Sequence, residues 1–438
     1  MNNNINTNLF DFLKKSPSVF HVISNIKDSL QSAGFEELRE AKEWSLSPGG
    51  KYFITRNDSS IIAFSIPDES FHGFQIVASH SDSPTFKIKE VSEMDGDKHY
   101  TRLNVEPYGG MIYAPWMDRP LSIAGRVIVK DNNTLRSELI HIDRDLLMIP
   151  NLAIHMNRKI NEGYIYNVQK DLIPLFGSGL SEDSFITLIA KTINVSKEDI
   201  VGKDLYLFNR TEGTIIGANN EFIAAPRLDD LQCVFASLQG FLDANPISNI
   251  PVYCVFDNEE VGSHTKQGAA SPFLKDTLKR VCFTLGQTEA DYQRYLANSF
   301  MVSADNAHAV HPNLPDKSDA GNRVYMNEGI VIKHNANQKY TTDAISNGIF
   351  TSICQKANIP TQSYANRSDI PGGSTLGNIA NTQTSMNTVD IGLAQLAMHS
   401  PYETAGAKDT EYLYEALKAF YSTMIRCDID GIYHLDYL

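Results

Sequence analysis

The first apolar pattern along the chain is helical. Between Leu9 and Gly34 hydrophobic residues recur every three to four positions, which predicts an amphipathic helix over that stretch. The pattern then changes to short β-rich runs at Lys51–Thr55 and Ile61–Ile66. Gln75–Ser79 is an apolar strand that ends in a polar burst, His80-Ser81-Asp82-Ser83-Pro84. From about Val91 to Gly217 short alternating segments such as Leu121–Lys130 are separated by turns such as Pro107-Tyr108-Gly109-Gly110, the pattern of a β-rich region.

From Arg227 onward strands and helices alternate. Leu231, Phe235, Leu238 and Leu242 fall at helical spacing. Val252–Phe256, Phe300–Ser303 and Val389–Leu393 read as buried strands, and a closing helix is expected to carry Leu413, Leu417, Phe420 and Met424 on one face. This alternation predicts an α/β fold with a mixed, mostly parallel sheet flanked by helices. The strand before His80 has the same character. Residues 1–90 and 218–438 are therefore expected to form one catalytic domain, interrupted by an inserted β-rich domain at 91–217.

Each of these strands runs into polar residues: His80 and Asp82, then Asp257-Asn258-Glu259-Glu260, then Asp305, with His399 beyond the last strand. In open α/β sheets ligands bind beyond the carboxyl ends of strands, so residues far apart in sequence are expected to converge there. Asp229 and His399 are read as loop-to-helix junctions that reach the same crevice. His80, Asp229, Glu260, Asp305 and His399 together offer two imidazoles and three carboxylates. That donor set, with no thiolate, suits catalytic zinc, or cobalt or manganese. Two ions with one bridging carboxylate need about this number of ligands. On an extended chain the Glu259-Glu260 pair would point to opposite sides, leaving one carboxylate for metal and the other for a water. Asp82, two residues after His80, is placed to orient its imidazole.

Composition narrows the function classes. The chain has 438 residues, 52 acidic against 38 basic, and a formal charge of −14. An acidic surface disfavours nucleic acid and anionic membranes as partners. No apolar run approaches the ~20 residues of a membrane span. The opening MNNNINTNLF lacks a basic segment followed by an apolar core, so a secretory leader is not expected. Five separated cysteines without a CxxC pair are read as reduced, mostly buried thiols, in keeping with a cytoplasmic location. No GxSxG elbow is present, which disfavours a serine hydrolase.

The residues that carry a family resemblance are Ala78–Phe86 (ASHSDSPTF), Arg227–Leu231 (RLDDL), Asp257–Ser263 (DNEEVGS), Ser303–Asn313 (SADNAHAVHPN) and Gln395–Ser400 (QLAMHS). Weaker matches are Ile149–His155, Ile332–Tyr340 and Gly372–Thr375. Together they resemble the aspartyl aminopeptidase family of two-zinc metallopeptidases, in the family's order and over nearly the whole chain. The resemblance implies a zinc-exopeptidase fold with an inserted dimerisation domain, and hydrolysis of N-terminal residues from peptides, with acidic Asp or Glu as the candidate preference. It implies Asp229 as bridging ligand, His80 and Asp305 on one metal, and Glu260 and His399 on the other. Glu259 would be the general base, Asp82 the partner of His80, and Asp230 a helix-start carboxylate. Lys333 would border the specificity pocket and pair with an acidic side chain of the substrate; the alternatives are a solvated surface lysine or one paired with a carboxylate of the protein. His155 resembles a histidine that reaches a neighbouring subunit's site; a buried histidine is the alternative. Homo-oligomers built from dimers, commonly dodecamers, are implied as well. A zinc deacylase of small N-acyl substrates, or a non-catalytic binding protein that kept the fold, is the rival; the latter would have lost ligands or base.

Overall fold

The computed structural model describes residues 5–179 and 183–437. Its centre is a nine-stranded mixed sheet. The order is Glu36–Leu38, Lys51–Arg56, Ser60–Ser65, Ile250–Phe256, Phe74–His80, Phe300–Ala304, Asn387–Gly392, Ile330–His334 and Thr361–Ala365. The four strands Ile250–Phe256, Phe74–His80, Phe300–Ala304 and Asn387–Gly392 run parallel. They read as almost unbroken apolar runs because both faces are covered. Val77, Tyr253, Val255 and Val302 point into one core, shared with Leu231, Leu238, Leu413, Leu417 and Phe420 of two helices, Leu228–Asp243 and Asp409–Tyr421. Their neighbours Ile76, Ala78, Val252, Cys254 and Met301 point into the other, against Phe273, Leu274 and Leu278 of the helix Phe273–Thr284. This alternation is the period-two geometry of a strand. Register pairs Phe256 with His80 and Ser303 with Ala78, so these strands end level with one another. The residues that follow them meet at one edge.

A second, six-stranded sheet is antiparallel throughout and has its own core, including Phe86, Leu103, Trp116, Ile123, Leu147 and Leu205. It runs from Thr85–Gly96 to Ile200–Asn209. The expected insertion, 91–217, differs at both ends. The strand Thr85–Gly96 starts directly after the His80 loop, and Thr214–Ile216 pairs with Phe222–Ala225 in a separate five-stranded sheet.

Three local expectations change. The first helix is two, Ile5–Lys15 and Val19–Ser32, divided at Ser16-Pro17-Ser18. Pro17 has no N–H to donate, and it disfavours helical dihedrals at Ser16. Met424 lies beyond the closing helix, in the strand Thr423–Ile429 of a terminal hairpin. His399 sits in a turn between the strands Ala394–Leu396 and Glu403–Gly406, not at a helix start. All five cysteines are free thiols, four of them buried. Among the described residues no helix is long and apolar enough to cross a membrane.

Candidate metal centre

The strand ends deliver a compact cluster. Ligand atoms of His80, Asp229, Asp230 and Asp305 lie within 4.8 Å of one another, as do those of His80, Glu259 and Glu260, and those of Asp229, Glu260 and His399. The sequence-predicted ligands therefore converge in three overlapping groups, joined pairwise through His80, Asp229 and Glu260. His308 and His311 belong to none of the three. His80 closes its strand, Asp305 follows the strand Phe300–Ala304, and Asp229 opens the helix Leu228–Asp243 with dihedrals that are not helical.

Hydrogen bonding fixes which imidazole nitrogen faces the cluster. His80 Nδ1 lies 3.0 Å from the Asp82 carbonyl oxygen and His399 Nδ1 lies 2.5 Å from the Gly110 carbonyl oxygen. A carbonyl only accepts, so Nδ1–H donates in both rings and each Nε2 keeps a free lone pair. His80 Nε2 faces Asp229 Oδ1 at 3.6 Å; His399 Nε2 faces Asp229 Oδ2 and Glu260 Oε2, each at 3.4 Å. Lone pairs and carboxylates at that distance repel unless a proton or a cation lies between them. Asp229 Oδ1 and Glu260 Oε1 are also buried without any hydrogen-bond donor. These observations fit the residues to divalent cations.

Without a cation, protons would have to take that place. Burial alone would lower His399, but the Asp229 and Glu260 carboxylates raise it to about 10. Burial would raise Asp229, but the imidazoles of His399 and His80, protonated in that state, hold it below the usual carboxylate range. Burial pushes Glu259 up to about 8, and Asp305, Asp82 and Asp229 add to that push. Glu260 is raised by burial and then by Asp229.

The supporting residues differ from expectation in several ways. Glu259 and Glu260 do not lie on an extended chain. Asn258, in a left-handed conformation, turns the strand into a single 3-10 turn, Glu259–Val261, and both carboxylates stay on the His80 side. Asp82 does lie beside His80, but its carboxylate is 3.4 Å from Nδ1, farther than its own carbonyl. That carboxylate instead accepts the backbone N–H groups of Glu259 and Glu260, both at 3.1 Å, and the Tyr108 hydroxyl at 2.7 Å. Asp230 is more than a helix-start carboxylate: it is fully buried and accepts the His80 backbone N–H at 3.1 Å.

Lys333 is buried. Its ammonium donates to the Asn306 carbonyl at 2.8 Å and stands 3.7 Å from Asp305 Oδ2. The burial rules out a solvated surface lysine, and the geometry is that of pairing with a carboxylate of the protein. His155 is exposed rather than buried, on a loop whose Asn151 donates to Asp118 through both its backbone and its side chain.

Glu403 was not anticipated. It is buried and accepts the backbone N–H of Asp229 at 3.0 Å and of His399 at 2.8 Å, tying two ligand-bearing turns together. No spacing in the sequence marks it, since it stands on a separate short strand.

A buried cluster of two histidines and several carboxylates, at the carboxyl edge of a parallel sheet, defines a metallohydrolase site. Residues 12–421 match the family model of the aminopeptidase I zinc metalloprotease, M18. A probable M18 family aminopeptidase 2 of Clostridium novyi is 45% identical over 424 residues, covering 94% of this chain and 98% of that protein. A homologue of the same description from Stutzerimonas stutzeri is 40% identical over 97% of this chain and 99% of its own length. Among solved structures, the cryo-EM structure of the Ape4 and Nbr1 complex aligns with a TM-score of 0.91 at 36% identity, covering 95% of this chain and 85% of that one. The mApe1 dodecamer of S. cerevisiae aligns at 0.84 with 28% identity, covering 95% and 96%. The chain belongs to the M18 aminopeptidase family. It is a metal-dependent aminopeptidase, a hydrolase of the zinc metallo-exopeptidase class.

Proposed function

We propose that the enzyme holds two divalent ions, zinc in the first instance, with Asp229 bridging them. His80 and Asp305 complete one site, and Glu260 and His399 the other. The observation that carries this reading is the pose of Asp229, whose two oxygens face two different histidines, Oδ1 toward His80 and Oδ2 toward His399. When bound, such ions supply Lewis acidity, lowering the pKa of water toward about 7 and polarising the scissile carbonyl.

The chain's own residues do the rest. Glu259 takes the proton from the attacking water and returns it to the leaving amine. Asp82 grips the Glu259 and Glu260 amides and holds the turn that carries base and ligand together. The free amino terminus of the peptide would lie beside Glu260, restricting cleavage to the chain end. Lys333, engaged with Asp305 and Asn306, balances charge at a ligand; that pose gives no support to its reading an acidic substrate side chain.

The six-stranded sheet is assigned to assembly. Leu152, Ile154 and Met156, beside His155, are 54%, 48% and 76% exposed, an apolar loop surface suited to a second copy of the chain. Covering that loop would bring His155 to a neighbour's site. The dodecameric state of the similar S. cerevisiae structure supports a homo-oligomer.

The metal assignment is tested with Asp229→Ala. Removing a contact to both ions should deplete metal more than His80→Ala, Asp305→Ala, Glu260→Ala or His399→Ala, as read by atomic emission. Full occupancy in Asp229→Ala would show that Asp229 is not the bridge.

A further inference from the structure

The turn that ends the strand Tyr100–Tyr108 belongs to the six-stranded sheet, yet it touches both halves of the metal cluster. On one side the Tyr108 hydroxyl donates to Asp82 Oδ2 at 2.7 Å and accepts from Asn258 Nδ2 at 2.8 Å. Asp82 in turn holds the Glu259 and Glu260 amides, and its carbonyl accepts His80 Nδ1–H. On the other side the Gly110 carbonyl accepts His399 Nδ1–H at 2.5 Å, and the Ile112 N–H donates to the His399 carbonyl at 3.1 Å. Between them Gly109 has φ +76°, and a Cβ there would lie 3.1 Å from the Glu260 Cβ, so glycine allows the turn to rest against that ligand.

We propose that the Tyr108–Gly110 turn is the positioning element for both metal-binding imidazoles, so that the placement of the six-stranded sheet sets how tightly metal is held. The inference rests on the ligand assignment above. A single segment from outside the central sheet reaches His80 through Asp82 and reaches His399 directly. Outer partners of this kind fix ring orientation, and their loss typically weakens metal binding about 10- to 100-fold. Tyr108 is itself firmly placed, half-buried and packed edge-to-face on Tyr206 at 5.8 Å. Burial, with Asp82 and Asp257 nearby, pushes its ionisation far up, so the phenol remains a donor.

Packing alone would be an adequate reason for a tyrosine here, and Tyr108→Phe separates the two roles because it keeps the ring and removes only the hydroxyl. Zn²⁺ affinity is measured by chelator competition for wild type, Tyr108→Phe and His80→Ala, together with the Tm of each apo-protein. Tyr108→Phe should bind Zn²⁺ about 10- to 100-fold more weakly while its apo-protein melts with the wild type. Wild-type affinity in Tyr108→Phe, with metal lost in His80→Ala, would overturn the inference and leave the ligand assignment standing. Full metal retention in His80→Ala would instead overturn the ligand assignment. Should Tyr108→Phe not fold, Asn258→Asp is the second variant. It turns the donor to the phenol oxygen into an acceptor and should weaken Zn²⁺ binding in the same direction; unchanged affinity there would equally overturn the inference.

Discussion

Lys333 Nζ stands 3.7 Å from Asp305 Oδ2, and both residues are buried beside the metal cluster. Burial alone would lower the ammonium's pKa, but Asp305 beside it raises it, so the lysine stays charged. Removing one partner of a buried pair costs about 3–5 kcal/mol, because the other charge is left uncompensated. Lys333→Ala should therefore lower apo-protein stability by that order in denaturant unfolding. It should also leave the Asp-to-Leu ratio of kcat/KM on aminoacyl-anilides unchanged. A selective loss of Asp- and Glu-anilide hydrolysis would instead make Lys333 the reader of acidic residues.

His21 gives a pH dependence independent of the metals. Burial lowers its pKa to about 4, with His141 and Arg227 adding to the effect, so the folded protein holds it neutral. The unfolded chain takes up a proton near 6.5, the folded one only near 4, so protonation favours unfolding within that window. Stability should fall as pH drops from about 6.5 to about 4, and His21→Gln should flatten that slope. Tm measured for both proteins at pH 7.5 and pH 5 checks this. An equal decline in the two would remove His21 from the acid sensitivity.

The exposed apolar loop around His155 predicts self-association. Light scattering at micromolar concentration should give a mass well above the 48.8 kDa of one chain. Placing charge on the loop, as in Met156→Glu with Leu152→Glu, should shift the mass toward the monomer. A wild-type protein that scatters as a monomer would contradict the assembly role of the six-stranded sheet.

The site was legible in the sequence where chemistry follows an apolar run. His80 closes a strand buried on both faces, Glu259, Glu260 and Asp305 come just after such strands, and parallel register then brings their ends level. Tyr108, Glu403 and Asp230 carry no such signal. Tyr108 enters from another sheet and Glu403 from a separate short strand, while Asp230 is adjacent to a ligand and resembles any helix-start acid. Their roles depend on tertiary contacts between segments up to 174 positions apart, which local periodicity does not encode. The same limit explains the shifted edges of the second sheet, since strand pairing rather than composition decides where Thr85–Gly96 begins.

The most direct test of the central claim, that Glu259 is a base among metal ligands and not a ligand itself, is turnover and metal content measured together in Glu259→Gln. The amide keeps the shape and removes the proton acceptor. Aminoacyl-anilide hydrolysis should fall by at least about 100-fold, the range of general acid–base catalysis, while atomic emission finds the same metal content as wild type. Near wild-type hydrolysis, or loss of metal in step with activity, would contradict it.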